Sequence, residues 1–271
     1  VPPLEIGIVS DEVSAIFREA VGLAKNWGVS LFELRCLRTG RIPNVDRSDI
    51  HEVLDIVGSG KIKITALSPG IFKHSVSQQY EIEHELDTVL PATIALAKEL
   101  GAPLIIVFGF IREPNEPTGN FGKAVEYMSK AVHIAEQHDV RIAIENEPGF
   151  WCDTGSATAR FVKCAGSKAL GVNWDPANAV GTGERPFPEG YRAIKDFVFN
   201  IHVKDTRENA LVRCVPVGEG VVNWREQLRA LSKDTALRHV TIETHCTPLV
   251  EKSRQNVETV RSYLREFSRD D

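Results

Sequence analysis

Four apolar runs in this 271-residue chain finish on residues that bind cations or move protons. AIEN carries Glu145, VNWD ends on Asp175, NIHV carries His202 and TIET carries Glu243. A lone strand-end histidine is more often a satisfied core residue, and a lone acid a cap or a surface ion pair. A succession of Glu, Asp, His and Glu at equivalent positions points elsewhere. If their strands are neighbours, three carboxylates converge, repel one another and drive at least one pKa upward. A divalent cation removes that conflict. Oxygen-rich ligation with one imidazole suits Mn2+ best, while Mg2+, Co2+ and Zn2+ also fit. No cysteine belongs to the set, which argues against a structural zinc site.

Such a centre leaves room for two adjacent substrate oxygens. Chelating a hydroxy-ketone would acidify the neighbouring C–H and stabilise an enediolate. Glu145 and Glu243 bracket the set, so they are the expected acid/base pair. Acting on opposite faces they would epimerise; if only one is placed to act, isomerisation follows.

Local patterns say what must position these groups. Strand-like runs are expected at 4–9, 30–34, 61–67, 103–108, 140–145, 170–175, 198–203 and 239–243. Between and after them, helical spacing covers 13–27, 48–57, 80–100, 121–138, 158–165, 189–195, 224–231 and 250–267, with Pro91 expected to kink or split the third. Repeated strand–helix units imply a parallel sheet flanked by helices. Eight of them, in a chain near the roughly 250 residues typical of the type, predict an α/β fold, a single-domain (β/α)8 TIM barrel over residues 1–271. No G-x-G-x-x-G follows the first strand and no G-x-x-x-x-G-K-[ST] occurs, so the nucleotide-binding open sheets lack their fingerprint. In a barrel the active residues gather at the C-terminal strand ends, where all four candidates fall.

Composition excludes several classes. Net charge is −5 with no basic tract, so a nucleic-acid partner is not expected. No apolar run approaches the ~20 residues that span a membrane. Cys36, Cys152, Cys164, Cys214 and Cys246 are odd in number and lack C-x-x-C spacing, as expected of reduced thiols and a cytoplasmic setting. The VPPLE start, without Met, is also consistent with a removed N-terminal signal.

The run IENEPG, NWDPAN, IHVKD, VGEG and TIET resembles the sugar phosphate isomerase/epimerase superfamily along essentially the whole chain. The resemblance implies a xylose isomerase-like barrel, metal ligation by Glu145, Asp175, His202 and Glu243, and Glu145 with Glu243 as the acid/base pair. It also implies a small-molecule sugar substrate, and it is compatible with a homo-oligomer. Many epimerases of the group carry a substrate-touching His three residues after the metal Asp; here that residue is Asn178. Lys204 and Asp205 match the family's H-x-K-D as groups near the substrate, against the plainer reading of a surface ion pair. Arg207 lies near the place of the family's substrate-binding Arg.

Other residues able to reach the site are Glu33, a candidate partner for a sugar hydroxyl, Trp151, a candidate apolar wall beside Phe150, and His74 and His245. No glycine-rich phosphate cradle follows the eighth strand, which favours a non-phosphorylated substrate. A metal-dependent lyase or dehydratase of a keto-sugar or keto-inositol would use the same ligands and is the main alternative. An apurinic endonuclease would want more histidines on the strands, yet His51, His84, His133 and His138 fall on expected helices. A non-catalytic sugar-binding barrel is weaker still, since the ligand set is intact.

Overall fold

A computed structural model describes residues 4–209, 211, 213–234 and 237–270; the VPP start lies outside them. Eight parallel strands close into a barrel: Glu5–Val9, Leu31–Leu34, Lys63–Leu67, Leu104–Phe108, Arg141–Glu145, Leu170–Trp174, Val198–Val203 and His239–Ile242, called strands one to eight. Strand eight pairs back onto strand one, Ile242 opposite Ile8, and that contact completes the ring. Strands four and six are buried along their whole length, as expected where helices cover the outside and side chains fill the inside.

Alternation along each strand sorts the side chains. The lower interior is apolar: Ala66, Leu104, Ile106 and Ala143 form a small cluster of their own inside the barrel. Two residues further along the same strands polar Ser68 and Glu145 face the mouth, beside apolar Phe108. The larger core lies between strands and helices, where Phe32, Trp174, Ile201 and Ile242 meet helical residues such as Phe17, Leu228 and Val257.

The helices follow the apolar periodicity, with two departures. The first begins at Phe17, not Val13, because Ser10–Glu12 forms a 3-10 turn. That turn is held at the mouth by Arg35, whose guanidinium lies 2.9 Å from Asp11 and 2.7 Å from Glu12. Pro91 does not divide its helix. The run 79–100 continues through it, and a π-turn over Glu85–Val89 precedes it. A wider turn just before proline accommodates the missing amide. Among the described residues no helix is long and apolar enough to cross a membrane.

Candidate metal centre

Each candidate ligand arrives by a local rule. On strand five Ala143 and Glu145 share the inward face, and on strand seven Asn200 and His202 do. Asp175 leaves strand six as the N-cap of the short helix Pro176–Ala179, whose Pro at the first position suits a helix start. Its Oδ1 accepts the amides of Ala177 at 2.9 Å and Asn178 at 3.1 Å. Oδ2 receives no hydrogen bond of good geometry and stays turned to the cluster, with Lys204 Nζ 2.6 Å away.

Glu145, Asp175, His202 and Glu243 come together. One donor atom from each lies within 4.8 Å of the other three, and all four residues are buried. His202 Nδ1 is 3.3 Å from Glu145 and 3.4 Å from Glu243. Its other nitrogen, Nε2, is 3.0 Å from Glu33 Oε2. A carboxylate holding the far nitrogen of an imidazole fixes the ring and presents the near nitrogen as a ligand. Three carboxylate oxygens and one imidazole nitrogen at this spacing, one oxygen without a hydrogen bond, fit a divalent cation.

The charges support that reading. Burial alone would raise the Glu145 and Glu243 carboxyls. Cationic His202 beside Glu145, and Lys204 and His202 beside Glu243, outweigh it and hold both below the usual range. Asp175 goes the other way: burial, with Glu243 and Glu145 nearby, pushes it up to about 6 against the pull of Lys204. Burial pulls on His202 and Lys204 too, yet the surrounding carboxylates lift both well above their ordinary values. In the metal-free protein these two side chains carry the positive charge that a cation would bring.

A cavity of about 220 Å3 opens over the cluster, lined among others by Glu33, Asn178, Lys204 and Phe108. Asn178 is within it, its Nδ2 donating to Asn146 O at 2.9 Å and to Glu145 at 3.4 Å. Lys204 is not a surface ion pair but a buried ammonium 2.9 Å from Glu243. Glu33 is less open to a sugar hydroxyl than its position suggests, because Ser68, Asn200 and His202 already occupy its oxygens.

Four expected residues stand apart. Asp205 turns away from the cavity and binds four backbone amides, those of Thr206, Gly218, Gly220 and Val222. It therefore folds the VGEG loop, and a Cβ at Gly220 would collide with it. Arg207 is exposed and faces a separate depression with Arg213 and Lys252. Trp151 packs edge-on against Phe121, and the apolar wall is Phe108. His74 also lies off the cavity, 3.5 Å from Glu85, whereas His245 does line it.

Arg35, Arg41, Lys73 and Glu147 also line the cavity. Arg35 was legible in principle: it sits two residues beyond Glu33, hence on the same face. Lys204 stands in the same relation to His202. Lys73 and Glu147 lie on loops and Arg41 on a two-residue ribbon strand, where no periodicity marks an inward side.

A metal-capable cluster at the C-terminal mouth of a closed (β/α)8 barrel defines the class. The chain belongs to the xylose isomerase-like TIM barrel family, whose model matches residues 21–267. No curated protein sequence matches it significantly. Among solved structures, a D-tagatose 3-epimerase-like protein superimposes with TM-score 0.81 at 18% identity, over 98% of this chain and 99% of that one. A probable 3-DHS dehydratase from Bacillus anthracis, AsbF, gives 0.79 at 15%, over 95% and 99%. The IOLI protein with a binding zinc atom gives 0.79 at 16%, over 98% and 99%. At these identities the likeness is one of fold.

Proposed function

We propose that this chain is a divalent-metal-dependent isomerase or epimerase of a ketose or related keto-sugar, working as one domain and, given its scattered cysteines, in the cytoplasm. The observation that carries the reading is the convergence of Glu145, Asp175, His202 and Glu243 beneath a cavity at the barrel mouth. These four would hold the cation, for which Mn2+ is the best chemical match. A bound divalent cation there supplies electrophilic stabilisation of a substrate carbonyl.

Proton handling falls to the chain itself. Glu145 and Glu243, held below the usual carboxyl range, are ionised at neutral pH and able to act as bases. They reach the cavity from strands five and eight, on different sides of a bound sugar. One removes the proton beside the carbonyl, leaving an enediolate. If the other, once protonated, returns a proton to the opposite face, the sugar is epimerised. Return to the adjacent carbon isomerises it. Phe108 shields the cavity wall from water, and Asn178 holds Glu145 in place.

A lyase or dehydratase is the second reading, and Glu243 favours it. Arg35 and Lys204 each approach Glu243 to 2.9 Å, and His245 to 3.3 Å. A carboxylate so tightly held carries a proton poorly, and an enediolate that is not reprotonated expels a β-hydroxyl.

The test is a panel of ketoses and keto-inositols incubated with Mn2+-loaded protein in D2O and followed by NMR. Metal-dependent deuterium incorporation with epimer or aldose formation supports the proposal. Loss of water supports the lyase. Neither reaction with any member would overturn the catalytic reading in favour of a sugar-binding barrel.

A further inference from the structure

We infer that the substrate carries an anionic group, a carboxylate or a phosphate, and that Arg41 receives it. The inference rests on the keto-sugar reading above. Six basic side chains line the cavity: Arg35, Arg41, Lys73, His202, Lys204 and His245. Five are already matched. Lys73 is 2.9 Å from Glu147 and lies over the Phe108 ring. Arg35 is bound by Asp11, Glu12 and Glu243. Lys204 meets Asp175 and Glu243, His202 meets Glu33 and Glu145, and His245 meets Glu12 and Glu243. Arg41 makes no ion pair or side-chain hydrogen bond among the described residues.

The Arg41 side chain is exposed, but the backbone that carries it is fixed. Arg41 ends a small antiparallel ribbon in which it pairs with Cys36. The ribbon is fixed by Ile42 N–H donating to Arg35 O at 3.1 Å, and by the Thr39 amide and hydroxyl donating to Asp49 at 3.0 and 2.7 Å. The guanidinium crosses directly over Gly70, where an added Cβ would come within 2.7 Å of Arg41 Nε.

Topology sets the direction. Around the barrel, strand two stands opposite strand six. The loop bearing Arg41 and the strand end bearing Asp175 therefore face each other across the mouth. A sugar whose carbonyl end rests on the Asp175 side extends its other end toward Arg41. A guanidinium fork matches a carboxylate or phosphate with two parallel hydrogen bonds. The terminal carbon of the sugar is where that group is expected.

The experiment compares D-fructose, D-fructuronate and D-fructose 6-phosphate, which differ at that carbon alone, as ligands of the Mn2+-loaded protein by calorimetry. At low salt one of the anions should bind on the order of 10- to 100-fold more tightly than fructose, given the strength of charge-assisted pairs. Which anion wins identifies the group. The preference should shrink with added salt, collapse toward equality in Arg41→Gln, and return in part in Arg41→Lys. Equal affinity for all three ligands in the wild type overturns the inference, as does a preference that survives in both variants. Metal-dependent exchange with the ketose panel but no anion preference removes only Arg41. Absence of both exchange and sugar binding removes the keto-sugar reading with it.

Discussion

The ends of strands six and seven each bear a fully buried aspartate, Asp175 and Asp205, and the two are held in opposite ways. Asp175 continues the inward face of Asn173, gives one oxygen to its own helix and leaves the other among carboxylates and Lys204. Asp205 has the opposite parity to His202 and Lys204, so it falls behind the rim, where backbone amides surround both oxygens. Burial and charge are the same; the partners are not. A buried acid satisfied by backbone amides builds structure, and one whose second oxygen faces a lysine among other carboxylates is available to a cation.

The contrast is sharpened most by kinetics. Glu145→Gln and Glu243→Gln should each lower turnover by about 10²–10⁴-fold even at saturating Mn2+, because an amide cannot act as a base. Asp175→Asn, at a residue assigned only to metal binding, should recover more fully with excess Mn2+. Equal metal rescue of all three variants would show that the glutamates merely hold the ion.

Stability should separate the aspartates next. Asp205→Ala leaves four amides without their acceptor and should cost about 3 kcal/mol, read as a lower Tm that Mn2+ does not selectively restore. Asp175→Asn keeps the cap and should shift the Tm of metal-free protein less. If the two shifts are alike, the proposed division between loop-building and metal-binding acids fails.

Glu33 tests how the imidazole is presented. Glu33→Gln should weaken Mn2+ binding by about 10- to 100-fold, the usual cost of losing a carboxylate behind a metal-binding histidine. An unchanged Mn2+ titration would mean that the packed ring keeps its own orientation.

The smallest effect is graded by pH. Asp175, raised by burial from 3.8 to about 6, contributes stability to the metal-free fold that is complete below its unfolded value and lost as pH rises through about 6. Metal binding runs the other way, since the cation needs this carboxylate ionised and His202 neutral. With His202 raised well above its ordinary value, Mn2+ affinity should gain about tenfold per pH unit above 6, one proton being released. Below 6 the slope should approach two protons. A flat profile would show that neither group is protonated before metal binds.

Period-two alternation, strand-end chemistry and unit length in the sequence alone determined the barrel and its cluster of Glu145, Asp175, His202 and Glu243. Those signals are local: a strand exposes its parity, NWDP announces a helix cap, and eight similar units favour closure. Parity carried further would also have marked Arg35 and Lys204 as inward and Asp205 as outward. Other features lie beyond any local rule. Arg207 and Trp151 sit near the right motifs, yet loop paths carry them off the cavity. Arg41, Lys73 and Glu147 enter it from loops after strands two, three and five. That Glu33 serves His202 depends on strands two and seven, which do not pair, meeting through the barrel interior, the two residues 169 apart in sequence. Backbone periodicity is written residue by residue, whereas contacts across a barrel exist only after the ring has closed.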